Sequence, residues 1–152
     1  RGQPTAVPEP SRRMATQARV DISAIVLREG RYLLARRTPD GLWGGLWEFP
    51  RATRDGRESL ETVAERAAAQ LGVQVQPVQT LASLQHAVTT ARIRLYGYLC
   101  AWRAGEAQPT GAYDAAAWVA PDALTDYPLS APQRRLAHAL TQHGGQMSLQ
   151  QV

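Results

Sequence analysis

Arg36 and Arg37 precede, and Arg51 follows, the stretch Gly41-Leu42-Trp43-Gly44-Gly45-Leu46-Trp47-Glu48-Phe49-Pro50. Its three glycines allow backbone angles and close approaches that other residues forbid, so the segment is a shaped loop and not a regular helix. Trp43, Trp47 and Phe49 supply the apolar anchors that hold such a loop in one form. A guanidinium is a planar fork of donors that matches phosphate and stacks on bases, so arginines flanking this loop suit the phosphates of a nucleic acid. Arg92 and Arg94 repeat this chemistry on a later strand, although each arginine taken singly also reads as an ordinary surface residue. The glutamates Glu58, Glu61 and Glu65 gather where a helix begins, and there they read as a solvated face that favours the helix dipole.

The elements that must position these groups follow from periodicity. Val20, Ile22, Ala24 and Val26 alternate with Ile25 and Leu27, and Tyr32 to Ala35 continues beyond Glu29-Gly30. Together they predict a hairpin buried on both faces. Leu60, Val63, Ala64, Ala67, Ala68 and Leu71 form one helical stripe, with Ser59 as N-cap and Gly72 as the stop. Val73 to Leu84 is strand-like but interrupted at Pro77, which predicts an edge or a bend. Ala91 to Trp102 alternates over its length, and Ala115 to Val119 is a further short strand. A second helix begins at Ser130, where Ser130 and Gln133 have capping-box spacing, and ends before Gly144. This order suits an α+β sandwich with a mixed central sheet between helices.

Composition bounds the function. A chain of 152 residues suits one domain, and no apolar run approaches the ~20 residues of a membrane span. Cys100 stands alone within a strand-like run and reads as a buried thiol, neither disulfide nor metal cluster. The net charge is +4, and all 17 basic residues are arginine. That balance suits nucleic acid and is equally the mark of a GC-rich genome. The first residue is Arg, and the opening is rich in proline, as linkers are. Residues 1–18 are therefore expected to link an upstream domain to a globular unit at 19–143, with a flexible tail at 144–152.

The string R-R-x-x-x-G-L-x-G-G-L-W-E-F-P resembles the opening of the Nudix-like C-terminal domain of MutY-type adenine DNA glycosylases. The wider Nudix superfamily shares the W-E-F-P part. The resemblance implies a Nudix-like α/β/α sandwich. Nudix hydrolases carry a box, G-x5-E-x7-R-E-U-x-E-E-x-G-U, whose helix carboxylates hold Mg²⁺ against a diphosphate. Anchored on Gly72-Val73, the box places Ala69-Gln70 at the metal-binding pair; anchored on Glu58 and Arg66, it places Gln70-Leu71 there. Neither register keeps the carboxylate pair, so no metal site and no catalytic residue are expected.

A second stretch, Leu84 to Leu95, is similar to the family's L-x-H-x-F-S-H-x-x-L-x-L. Leu84, His86 and Leu95 match, while Val88, Thr89 and Thr90 stand at the Phe, Ser and His. By resemblance this tip meets 8-oxoguanine, whose N7–H donor and O8 acceptor a Thr89 hydroxyl can pair. His86 reads as a satisfied structural histidine before it reads as a DNA contact. The resemblance implies a non-catalytic domain that recognises 8-oxoguanine in base excision repair, with Arg36, Arg37, Arg51, Arg92 and Arg94 on the DNA backbone. Its partners would be duplex DNA with 8-oxoguanine·adenine mispairs and an upstream glycosylase domain carrying an iron–sulfur cluster. No cofactor is expected in this chain, and the protein is expected as a nucleoid-associated cytoplasmic monomer. The alternatives are a divergent Nudix hydrolase of nucleoside diphosphate derivatives and a Nudix-like module that binds a nucleotide or protein.

Overall fold

The computed structural model describes residues 18–88 and 91–142. In chain order these form β1 (Ala18–Arg28), β2 (Arg31–Arg37), β3 (Trp47–Glu48), β4 (Arg51–Thr53), α1 (Leu60–Ala69), β5 (Gln74–Val88), β6 (Ala91–Ala104), β7 (Tyr113–Val119), a 3₁₀ turn (Pro121–Asp126) and α2 (Ala131–Gln142). The expected linker up to residue 17 and the tail from 144 lie outside the described residues, and Ala18 already opens β1.

The site is made by a hairpin that opens. β1 and β2 meet across a two-residue turn in which Glu29 and Gly30 both have positive φ, and their ladder runs only from Arg28↔Arg31 to Leu27↔Tyr32. Beyond that the strands splay. β4 takes the vacated edge of β1 (Asp21↔Thr53, Ser23↔Arg51), and β3 takes that of β2 (Ala35↔Glu48, Arg36↔Trp47). Arg37 N–H donates to Leu46 O at 2.9 Å and Ala24 N–H to Pro50 O at 2.8 Å, so the Trp47-to-Pro50 segment plugs the mouth. On the far edges β6 runs parallel to β1, β5 antiparallel to β6, and β7 antiparallel to β2, which makes the sheet mixed. Pro77 sits on the edge strand β5, where the register slips between Pro77 and Gln79. Proline has no N–H for a ladder, and the edge tolerates it.

Two apolar layers flank the sheet. Val63, Ala64, Ala67, Ala68 and Leu71 pack α1 against Ile22, Ala24 and Val26. Leu124, Leu136, Ala137 and Leu140 pack the 3₁₀ turn and α2 against Ile25, Leu34, Leu95 and Leu99. The alternation along β1 thus feeds both layers, as its sequence predicts. Each fully buried Leu, Ile or Phe contributes about 1.5–3 kcal/mol. Cys100 is the buried thiol expected, its pKa pushed up to about 12 by burial and by the Glu65 charge. Ser59 caps α1, its Oγ accepting from Thr62 N–H at 3.1 Å.

One local expectation is corrected. Gln133 does not reach back to cap its own helix. It is buried, its Oε1 accepts from Phe49 N–H at 3.0 Å, and its Nε2 donates to Ser23 Oγ at 2.9 Å. The sheet leaves Phe49 N–H without a ladder partner, and satisfying a buried donor outweighs a solvent-side cap. Among the described residues no helix is long and apolar enough to cross a membrane.

Candidate ligand cleft

Where β1 and β2 part, four strands leave polar side chains facing one another. Asp21 lies opposite Thr53 in the β1–β4 register, and Thr53 Oγ1 donates to Asp21 Oδ1 at 2.7 Å. Arg19 grips the same carboxylate with Nε at 3.1 Å and Nη2 at 2.9 Å. Arg51 spans the opening, Nη1 on Asp21 Oδ2 at 2.7 Å and Nε on Glu48 Oε1 at 3.3 Å. Glu48 Oε2 also accepts from Arg37 Nη1 at 3.1 Å and from Tyr113 Oη at 2.6 Å, and Tyr113 Oη accepts from Arg51 N–H at 2.9 Å. The Asp21 and Glu48 side chains are 1% and 5% exposed, and that of Arg51 is 9% exposed. Buried carboxylates of this kind persist only when paired and hydrogen-bonded.

The electrostatics follow from these contacts. Burial alone would raise the Asp21 carboxyl, but hydrogen bonds from Arg19 and Thr53 and the charges of Arg51 and Arg19 outweigh it and hold the pKa below the ordinary range. Burial would likewise favour neutral Arg51, and the Glu48 and Asp21 charges reverse that. Burial and the adjacent Glu48 push the Tyr113 phenol far up, so it stays protonated and donates.

Above this network lies a cleft of about 530 Å³ whose lining includes Arg19, Arg37, Arg51, Arg66, Trp43 and Gln70. The Gly-rich loop forms one wall. Gly45 N–H donates to Arg37 O while Arg37 N–H donates to Leu46 O, both at 2.9 Å, so the loop is clipped to β2. A Cβ on Gly44 would overlap the Pro39 carbonyl, which explains glycine there. Trp43 has φ 63, in the left-handed region that costs a side-chain-bearing residue on the order of 1–3 kcal/mol. Its ring lies 4.5 Å from the Arg51 guanidinium carbon and 6.2 Å from the His86 ring. The other wall is α1, where Arg66 grips Glu58 with Nη2 at 2.7 Å and Nε at 3.3 Å and donates to Thr53 O at 2.8 Å.

The arginines expected to act together are divided. Arg37 and Arg51 share the cleft. Arg36 turns to Asp114 at 2.8 Å and lies 5.8 Å from the Trp47 ring. Arg92 lines a separate depression with Gln85, His86 and Ala87. Arg94 pairs across the ladder with Gln85, on the strand next to β1. His86 meets the Trp43 ring at a tilt and lines a small cavity with it and Arg51, its pKa lowered by partial burial and by the Arg51 charge. Val88 pairs with Ala91 in the backbone register, while its side chain and all of Thr89 and Thr90 lie outside the described residues.

Sequence reasoning missed Asp21, Glu48, Tyr113, Arg19 and Arg66 as members of the site. Asp21 carried a usable signal, an acid inside a run from Val20 to Leu27 that is apolar apart from it and Ser23. The glutamates read as a solvated face are more specific than that: Glu58 clamps Arg66 and accepts from Asp55 N–H, and Glu61 accepts from Tyr98 Oη at 2.8 Å.

The Nudix domain profile matches residues 22–139, and the chain belongs to the Nudix family. Its relatives include the CTP pyrophosphohydrolase of Escherichia coli (strain K12), 28% identical over 113 residues that cover 72% of this chain and 81% of that protein. Among solved structures, a MutT protein from Methanosarcina mazei Go1 superposes with a TM-score of 0.77 at 16% identity, over 85% of this chain and 96% of that one. The E. coli ORF135 protein superposes with a TM-score of 0.72 at 24% identity, over 86% and 93%. These superpositions establish the α/β/α sandwich.

The comparisons correct the functional expectation. A relative over most of the chain is by name a pyrophosphohydrolase, which overturns the reading as a non-catalytic 8-oxoguanine recognition domain of a DNA glycosylase. With it go the base-excision-repair role, the duplex DNA partner and the upstream glycosylase partner. The geometry gives a physical reason. Arginines that were to track a DNA backbone point to different places, and two of them line a concavity of small-ligand size.

The family implies Mg²⁺ held by carboxylates on α1, and the residues present do not fit it. Gln70 turns its Nε2 to Arg51 O at 2.8 Å and Ala67 O at 3.0 Å, Leu71 is fully buried, and Ala69 has no ligand atom. Among the described residues no group of three or more His, Cys, Asp or Glu is placed to hold a metal ion.

Proposed function

We propose that the protein is a divergent Nudix hydrolase of nucleoside diphosphate derivatives, with the cleft over Arg51 as its substrate site. One observation carries this: four guanidiniums, from Arg19, Arg37, Arg51 and Arg66, line a single concavity with the Trp43 indole at its edge. Guanidiniums form charge-assisted, often bidentate hydrogen bonds to phosphate oxygens, and an indole face stacks on a base. The buried Asp21 and Glu48 hold the arginines in place, as supporting groups do in preorganised sites. Guanidiniums so fixed also stabilise charge that builds on a phosphate during cleavage. The pyrophosphohydrolase relative supports the reaction class. A second reading, a Nudix module that binds such a nucleotide without cleaving it, is favoured by Gln70 and Ala69 where the family's carboxylates stand.

The narrower kinship, with the Nudix-like domains of MutY-type glycosylases, we infer as descent only. It rests on Gly41 to Pro50 and Leu84 to Leu95, and it assigns no ligand. The cytoplasm, where nucleotide ligands are found, is the compartment we propose. ³¹P NMR on a panel of nucleoside diphosphate derivatives, with calorimetric binding to the same panel, tests the reading. Release of a phosphorylated product supports the hydrolase, and saturable binding without release selects the module. Neither release nor binding across the panel rejects both.

A further inference from the structure

We propose that this cleft holds a diphosphate with its own guanidiniums in the role that a carboxylate-bound divalent cation would play, so that binding needs no Mg²⁺. The inference rests on reading the cleft as a ligand site and adds how the charge of the ligand is met.

Three observations lead there. First, the α1 wall presents Arg66 and Gln70, a cation and an amide whose N–H groups are engaged, where a metal site needs anionic oxygens. Second, Asp40 on the loop is the one carboxylate among the described lining residues, too few oxygens for a dedicated cation site, and the carboxylates beneath the floor are shielded. Asp21 and Glu48 are buried, and each is gripped by two arginines and one hydroxyl. A divalent cation reaching either would displace a guanidinium and sit against the fixed Arg51 charge. The same carboxylates orient the arginines and leave donors unspent. Among the contacts of the described residues, Arg51 engages Nε and Nη1, Arg37 engages Nη1, and Arg19 and Arg66 engage Nε and Nη2. Each guanidinium has five N–H donors, so every one of the four keeps some for a ligand.

Third, the exposures are graded as an anion clamp requires. The side chains of Arg66 and Arg19 are 44% and 40% exposed, Arg37 24%, and Arg51 9%. The two outer arginines can meet a phosphate on entry, and the two inner ones form a rigid floor. Magnesium in solution neutralises the diphosphate, so it should weaken the interaction rather than create it.

The test is calorimetric titration of the full chain with inorganic pyrophosphate, in EDTA and in excess Mg²⁺. Binding in EDTA at least as tight as in Mg²⁺ is expected. Arg66→Gln and Arg19→Gln should each weaken it by about tenfold or more, the scale of one charge-assisted hydrogen bond. Arg66 and its partner Glu58 both reach solvent, so Arg66→Gln should melt near the parent temperature; Arg19→Gln removes a partner of buried Asp21 and should melt lower, so its binding is read well below its own melting temperature. Arg28→Gln, far from the cleft, should bind as the parent does. Binding that appears only with Mg²⁺, no binding in either condition, or binding indifferent to both substitutions overturns the inference. Competition separates it from the functional reading. Pyrophosphate bound in EDTA but never displaced by a nucleoside diphosphate leaves the clamp standing and removes the nucleotide. Nucleoside diphosphate binding confined to Mg²⁺ does the reverse.

Discussion

Arg51 and Arg28 are built from the same parts and sit at opposite ends of the β1–β2 hairpin. Arg51 lies 4.5 Å from the Trp43 ring and holds Asp21 and Glu48. Arg28 lies 3.9 Å from the Trp102 ring and 5.4 Å from that of Trp118, and it forks onto Glu106 at 3.2 and 3.1 Å. The difference is water. The carboxylates of Arg51 are 1% and 5% exposed, whereas Glu106 is 69% exposed. At the closed end the strands pair, the site needs nothing, and solvent screens the ion pair to little effect. At the open end the strands part, backbone and side-chain polar groups are stranded, and a charge network must satisfy them all. Composition does not separate the two arginines; burial does.

The largest break in this comparison is Glu48→Ala. It leaves Arg51, Arg37 and the Tyr113 hydroxyl facing a void, and removing one partner of a buried pair costs about 3–5 kcal/mol. Urea unfolding should show the midpoint fall at unchanged slope. A loss no greater than that of a surface substitution would mean that water reaches the network freely.

Acid probes the same network more gently, because a protonated carboxyl still hydrogen-bonds. The folded pKa of Asp21 lies below its unfolded value of about 3.9, so its stabilisation is full above that value and drains as pH falls through the folded one. Glu106 is also lowered, by the Arg28 hydrogen bond, but in solvent. Asp21→Asn should therefore flatten the acid limb of the stability curve, and Glu106→Gln should leave it in place. An unchanged limb in Asp21→Asn would remove Asp21 as its cause.

Gln133→Ala is next. It strips Phe49 N–H of its acceptor and Ser23 of a donor in the layer under α2, and an orphaned buried donor costs about 1–3 kcal/mol. Loss of amide-exchange protection at Phe49, greater than the global loss, is the specific signature. Uniform loss would argue for packing alone.

The open end was also where the sequence was harder to read. Strand alternation and the helical stripe report burial, and both placed their residues on the correct layers: Ile22, Ala24 and Val26 against α1, Ile25 against α2. The loop from Gly41 to Pro50 was legible as a rigid, glycine-dependent device because Gly44 and the aromatics admit few other meanings. Which arginine faces which acid was not. Arg51 meets Asp21 across 30 positions, and Tyr113 meets Glu48 across 65, contacts created only when β3 and β4 enter the splayed hairpin. Gln133 shows the same limit in reverse: local spacing proposed a cap, and a distant stranded N–H took the side chain.

The smallest effect is the control that gives the others meaning. Arg28→Ala removes a forked ion pair and two ring contacts, where Arg51→Ala removes ion pairs to two carboxylates and one ring contact. Its partner Glu106 remains solvated, so no buried charge is stranded, and the midpoint in urea should stay within the scatter of surface substitutions. Trp102 Nε1 keeps its own bond to Gly105 O at 2.8 Å, so the turn it secures persists without the arginine. The decisive form is a pair of double-mutant cycles, Arg28 with Glu106 and Arg51 with Glu48, in which a coupling many times larger in the second is expected. Equal couplings would mean that the aromatic rings, and not exclusion of water, set the strength of both sites. The preorganised floor proposed for the cleft would then lose its physical basis.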